Sequence, residues 1–190
     1  MRVLTSIENL SFRLQRQLTR FKRDTGGMAA IEFVFIVPLM LVIFFGTIEL
    51  SNGVAADRKV TITARTLSDL VSQNTNVTNQ QMTNFFTMGT AIMTPYSGTP
   101  MTLRVSAVNI NGSGQATIAW SDGQGIAART VGSTVTVPSG LIVNNTQLIW
   151  SEIAYTYTPA VGYVMKTAVT LTDVCYTRPR QSTTVTRSAT

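Results

Sequence analysis

Residues 26–50 read GGMAAIEFVFIVPLMLVIFFGTIEL, and this stretch decides how the rest of the chain is organised. From Phe33 to Gly46 it carries no charge. Phe33, Val34, Phe35, Ile36, Val37, Leu39, Met40, Leu41, Val42, Ile43, Phe44 and Phe45 form an apolar run around a single proline, Pro38. Extended to Ala29 and Leu50, the run is about 22 residues long and is interrupted by Glu32 and Glu49. A helix of that length rises about 33 Å, enough to cross the hydrocarbon core of a bilayer.

The charge distribution gives the run a direction. The net charge is +6, and six of the fifteen basic residues lie before Met28: Arg2, Arg13, Arg16, Arg20, Lys22 and Arg23. Only Glu8 and Asp24 oppose them there. Positive charge just ahead of an apolar span holds that flank on the cytoplasmic side and sends the other flank across. The membrane is therefore the expected partner. A nucleic-acid partner would need basic residues clustered on a folded face, with aromatics or a known module, and neither is visible.

Three readings of the span compete. It is a secretory signal with small residues at Gly46, Gly53, Ala55 and Ala56 for cleavage, a plain single-span anchor, or a pilin-type segment. The residues RFKRDTGGMAAIEFVFIVPLML around Gly27 favour the last. A basic stretch ends in Gly26-Gly27, and the apolar run follows at once with one acid at its fifth position. Glycine before a scissile bond fits a tight subsite and takes extended backbone angles cheaply; the plainer account is a helix breaker. Glu32 would cost about 2.5–3.5 kcal/mol at mid-bilayer and less near the interface, so it needs a partner or headgroup-level placement. Pro38 removes a backbone donor and crowds the carbonyl of Val34, which predicts a kink or local melting unless it is simply a tolerated membrane proline.

This pattern resembles the type IV prepilin processing site, and more closely the TadE/TadF pseudopilins of tight-adherence (Tad, or Flp) pilus systems. The matching positions are Gly27, Ala29, Ala30, Glu32, Phe33, Pro38, Phe45, Gly46 and Glu49, with shorter likenesses at Tyr155–Pro159 and Tyr176–Arg180. The resemblance implies cleavage between Gly27 and Met28 by a membrane-embedded prepilin peptidase. It also implies pairing of Glu32 with the new amine at Met28, usually of a neighbouring subunit, and a role for Pro38 in packing helices in a filament. The implied partners are that peptidase, the major Tad pilin, a sister pseudopilin and the inner-membrane pilus platform.

Beyond the span, Leu50, Val54, Val60, Ile62, Leu67 and Leu70 suggest that the helix continues to about Ser72, with Arg58, Lys59 and Arg65 on a solvated or headgroup-facing side. Gln73–Gln80 reads as polar linker. Thr78 can cap a second helix to about Met93 that buries Met82, Phe85, Phe86, Met88 and Ile92. Met101–Ile110 and Gln115–Ser121 alternate around the turn Asn111–Gly114 and read as a hairpin. Asp122–Gly140 is loop-like, and Gln147–Tyr157 and Lys166–Tyr176 are further strands. The closing QSTTVTRSAT is polar and expected to fray. The fold class expected is α+β: a long N-terminal transmembrane helix with a small antiparallel sheet laid on it. The organisation is a basic cytoplasmic leader at 1–27, a transmembrane helix at 28–50 continuing to about 72, and an extracytoplasmic α+β domain at 77–190.

Chemistry is scarce in that domain. The chain has no histidine and one cysteine, Cys175. Imidazole chemistry, His-based nucleophile systems and Cys/His zinc sites are excluded. Asp122, Glu152 and Asp173 form no close pair in sequence and read as surface acids. Tyr155, Tyr157, Tyr163 and Trp150 read as half-buried strand aromatics rather than an adhesive patch. No cofactor and no metal are expected. The function expected is a minor pilin for assembly of an adhesive Tad pilus, located in the bacterial inner membrane or the fibre, and not an enzyme. An uncleaved single-span protein with a periplasmic interaction domain is the alternative, and a signal-anchored extracytoplasmic enzyme the next.

Overall fold

The computed structural model describes residue 19 and residues 26–159, 162 and 166–189. The basic residues of the leader and Tyr163 lie outside these. The chain divides into two compact units, residues 1–46 and 47–190. Helix α1 runs from Gly26 to Ser72, and its residues contribute to both.

In the first unit the apolar side chains face outward. Phe33 and Phe35 are 67% and 74% exposed, and the helix is continuous through Pro38. Its most apolar stretch has a mean hydropathy of 2.6 and is not buried inside the protein, so α1 is long and apolar enough to cross a membrane.

In the second unit, α1 buries Ala56, Val60, Ala64, Leu67 and Val71. These recur every three or four residues and so share one face. Of the stripe read from the sequence, Val60 and Leu67 lie on this face. Leu50, Val54 and Ile62 do not; they are exposed. The buried row is rich in small and hydroxyl residues, which let the helix lie close to the sheet. Ser151 Oγ donates to the Ala64 carbonyl at 2.6 Å and Ser68 Oγ to that of Ile149 at 3.2 Å. A count of large apolar residues cannot see such a face. Lys59 is not simply solvated: its Nζ donates to the Ile92 carbonyl at 2.9 Å, at the end of the second helix.

The segment read as polar linker contains β1 (Asn76–Val77), and Val77 is fully buried. Helix α2 (Asn79–Ile92) starts at a capping box in which Thr78 Oγ1 accepts the Gln81 N–H and Gln81 Oε1 accepts the Thr78 N–H. Met82, Phe85, Phe86 and Gly89 are its buried face. Met88, expected inside, is 42% exposed, because the inward position one turn after Phe85 and Phe86 falls on Gly89. There Leu67, Thr63 and Leu103 lie 3.4–3.5 Å from where a Cβ would stand.

The strands β2 (Met101–Ile110), β3 (Ala116–Gln124), β4 (Thr134–Val135), β5 (Thr146–Tyr157) and β6 (Val169–Thr177) form an antiparallel sheet in the order β4-β3-β2-β5-β6. One face, with Leu103, Val105, Ala107, Ile149, Ile153, Tyr155 and Tyr157, packs with the buried residues of α1 and α2. A bulge interrupts the β2–β3 register: Ala107 pairs with Trp120 but Val108 with Ile118. The extra residue turns Trp120 to the helical face and leaves Ile118 on the other. That second face is a separate cluster of Val108, Ile118, Val137, Leu148 and Trp150. The span read as loop thus supplies β4 and Val137 to a core of its own. It needs glycine at 123, where a Cβ would stand 2.2 Å from the Ile126 carbonyl oxygen.

The expectation of a frayed C-terminus is corrected. Strand β7 (Thr186–Arg187) pairs in parallel with β1. Val185 is buried in the main core, its carbonyl accepts Trp120 Nε1–H at 2.8 Å, and its N–H donates to Gln147 Oε1 at 2.6 Å. Arg187 pairs with Asp122 at 2.8 Å and also donates to Asn79 Oδ1 at 2.6 Å. Polar residues dominate the tail, but its backbone groups and one valine are spent internally.

Candidate functional site

The residues singled out in the sequence lie along α1. The Gly27–Met28 bond lies in the helical segment Gly26–Ser72. Among the described residues no side chain or other segment stands within 4 Å of a Cβ placed on Gly27, and Met28 is 65% exposed. The bond is helical rather than extended. Glycine eases its unwinding, since a glycine costs a helix about 1 kcal/mol relative to alanine.

Glu32 lies one turn beyond Met28, on the same side of the helix. It is exposed, and makes no hydrogen bond or ion pair among the described residues. Around it are Ile31, Phe33 and Phe35, all exposed. Along a bare apolar helix, a carboxylate in that position has its complement elsewhere or at the water interface.

Glu49 is different. It belongs to the second unit and is 1% exposed. It continues the buried row of α1 toward the N-terminus, through Gly53 and Ala56, and lies near Tyr157. A Cβ on Gly53 would stand 3.7 Å from Tyr157 Cε1. Tyr96 meets Tyr157 edge-on with ring centroids 6.2 Å apart, and its hydroxyl donates to the Asn52 carbonyl at 3.1 Å. Burial raises the Tyr157 hydroxyl above its ordinary pKa, and Tyr96, Glu49 and Tyr155 add to the effect. The sequence marks Glu49 as an interruption of the apolar run. Its burial was legible only in the spacing 49–53–56–60, one face of a helix.

Two of the three sheet acids, Glu152 and Asp122, are paired, contrary to their reading as surface residues, whereas Asp173 only accepts the Val174 N–H in an exposed bond. Glu152 receives Arg104 Nε at 2.7 Å and Arg129 Nη2 at 2.8 Å. Burial alone would raise its carboxyl, but the two arginines donate to it and hold it below the ordinary carboxylate value. The Arg129 guanidinium lies 4.0 Å from the Trp150 ring centroid, and Trp150 stacks on Tyr176 at 5.5 Å. These are fold-holding contacts between β2, β5, β6 and the loop after β3. Tyr155 and Tyr157 are each 4% exposed, so they form no surface patch. Cys175 is half-buried against the main core. Among the described residues there is no group of three His, Cys, Asp or Glu side chains placed to hold a metal.

The fold and the segment define a class: an α+β protein whose helix α1 is long and apolar enough to cross a membrane. The family comparison specifies it further. Residues 27–67 match the family described as TadE-like protein. No curated protein and no solved structure gives a significant match.

Proposed function

We propose that the chain is a pseudopilin, a minor pilin for assembly of a Tad pilus used in surface adhesion. A prepilin peptidase cuts it between Gly27 and Met28 on the cytoplasmic side. Residues beyond the span are extracytoplasmic, and the mature protein is held in the inner membrane or drawn into the fibre. It is not an enzyme; the chemistry is done to it. The major Tad pilin, a sister pseudopilin and the inner-membrane platform are its partners.

The observation that carries this reading is Glu32. It is an exposed carboxylate on an exposed apolar helix, one turn past a Gly27–Met28 junction that no other described segment covers, inside the TadE-like match. A carboxylate there costs about 2.5–3.5 kcal/mol at mid-bilayer, which pairing with a freed Met28 ammonium offsets. Glu32→Leu keeps the protein in the membrane fraction and reduces pilus production. Normal piliation in that variant contradicts the proposal.

A further inference from the structure

The five-stranded sheet ends on one side in β4, two residues long, and on the other in β6, nine residues long. The phase of β6 can be derived. The Thr156 N–H donates to the Pro100 carbonyl at 3.3 Å, so even-numbered residues of β5 direct their backbone groups toward β2. Odd-numbered residues of β5 then direct theirs toward β6. With Ile153 in register with Asp173, the outward backbone groups of β6 belong to Thr170, Thr172, Val174 and Tyr176. No strand pairs with that edge among the described residues. Val174 is 52% exposed, and Thr170 and Thr172 are exposed beside it.

A long, β-branched, open edge is a template for strand addition, and proteins blunt such edges with proline, lysine or bulges. The sequence VTLTDVCYT has neither proline nor lysine, and β6 runs without a bulge against β5. It has one acid, Asp173, at its centre. Asp173 Oδ1 accepts the Val174 N–H at 2.7 Å, so the carboxylate occupies the central outward donor of the edge. An antiparallel β6 from a second copy would have to bring a carbonyl to that donor. It would also bring its own Asp173 close to this one, and like charges facing across a strand pair disfavour pairing.

We propose that Asp173 is a guard residue that closes the β6 edge against strand addition by a second copy of this chain. The need is acute for a membrane-anchored protein, whose copies are confined at high effective concentration. The test uses the full chain extracted in detergent, with mass measured by light scattering over a range of protein concentrations. Asp173→Thr self-associates roughly tenfold or more tightly than wild type. Adding Thr172→Pro, at a position whose N–H faces outward and makes no bond to β5, returns the mass to the wild-type value. An Asp173→Thr protein that behaves as wild type overturns the proposal. So does association that persists in the double variant, because the contact then lies away from this edge.

Discussion

Val185→Ala is the sharpest probe of the second unit, because composition and structure disagree about its outcome. A frayed polar tail tolerates the change within about 0.5 kcal/mol. The structure places Val185 at 1% exposure in the main core, its carbonyl on Trp120 and its N–H on Gln147. Two methyl groups removed from a buried site cost about 1.6 kcal/mol in transfer free energy, and the cavity left behind brings the loss to about 2 kcal/mol. For a unit of this size that lowers Tm by about 4–8 °C. Tryptophan fluorescence of the full chain in detergent micelles reports the melt, with Trp120 next to the altered residue. Thr183→Ala, an exposed neighbour, serves as control and shifts stability by less than about 0.5 kcal/mol. A Val185→Ala melt indistinguishable from that control refutes the packing of the tail.

Glu152→Gln leaves Arg104 and Arg129 without their shared charge and costs roughly 1–3 kcal/mol at pH 7. Its carboxyl is held below the ordinary value of 4.5, so its contribution is complete above that pH and is lost as the pH falls through the folded value. The stability gap between wild type and Glu152→Gln therefore narrows below pH 4.5 in urea titrations, and a gap independent of pH rejects the assignment. Gly123→Ala puts a methyl 2.2 Å from a backbone oxygen, which forces the β3 end to move. A loss of about 2–3 kcal/mol is expected in the same melts, against a change within about 0.5 kcal/mol for Gly140→Ala, where open space surrounds the residue and φ is not positive.

Much of the architecture was legible because its signals are local. The capping box at Thr78 and Gln81 lies within four residues, and the alternation of Met101–Ile110 marks β2 in full. The apolar run at Phe33–Gly46 needs only its length. What escaped the sequence depends on distant partners. Glu152 looks isolated until β2 and the loop after β3 bring Arg104 and Arg129 to it. The bulge at Ala119 flips Trp120 to the helical face, and an alternation count cannot anticipate a register slip of one residue. The tail reads as frayed because its Thr, Ser and Arg are polar, yet its backbone and side chains bond to residues more than a hundred positions earlier in the sequence. On α1 the lesson is about size. Leu50, Val54 and Ile62 are the eye-catching residues and lie outside, while Ala56, Ala64 and Ser68 make the contact. At the candidate site, Gly27, Met28, Glu32 and Glu49 were all marked beforehand, but only the structure separates an exposed Glu32 from a buried Glu49.

The account rests on the Gly27–Met28 junction. Intact mass spectrometry of the protein extracted from membranes of cells that carry the pilus system tests it most directly. The account predicts a species lacking residues 1–27, with Met28 at its N-terminus and the rest of the chain intact. A membrane protein that retains residues 1–27, or one cut after the apolar run, contradicts it.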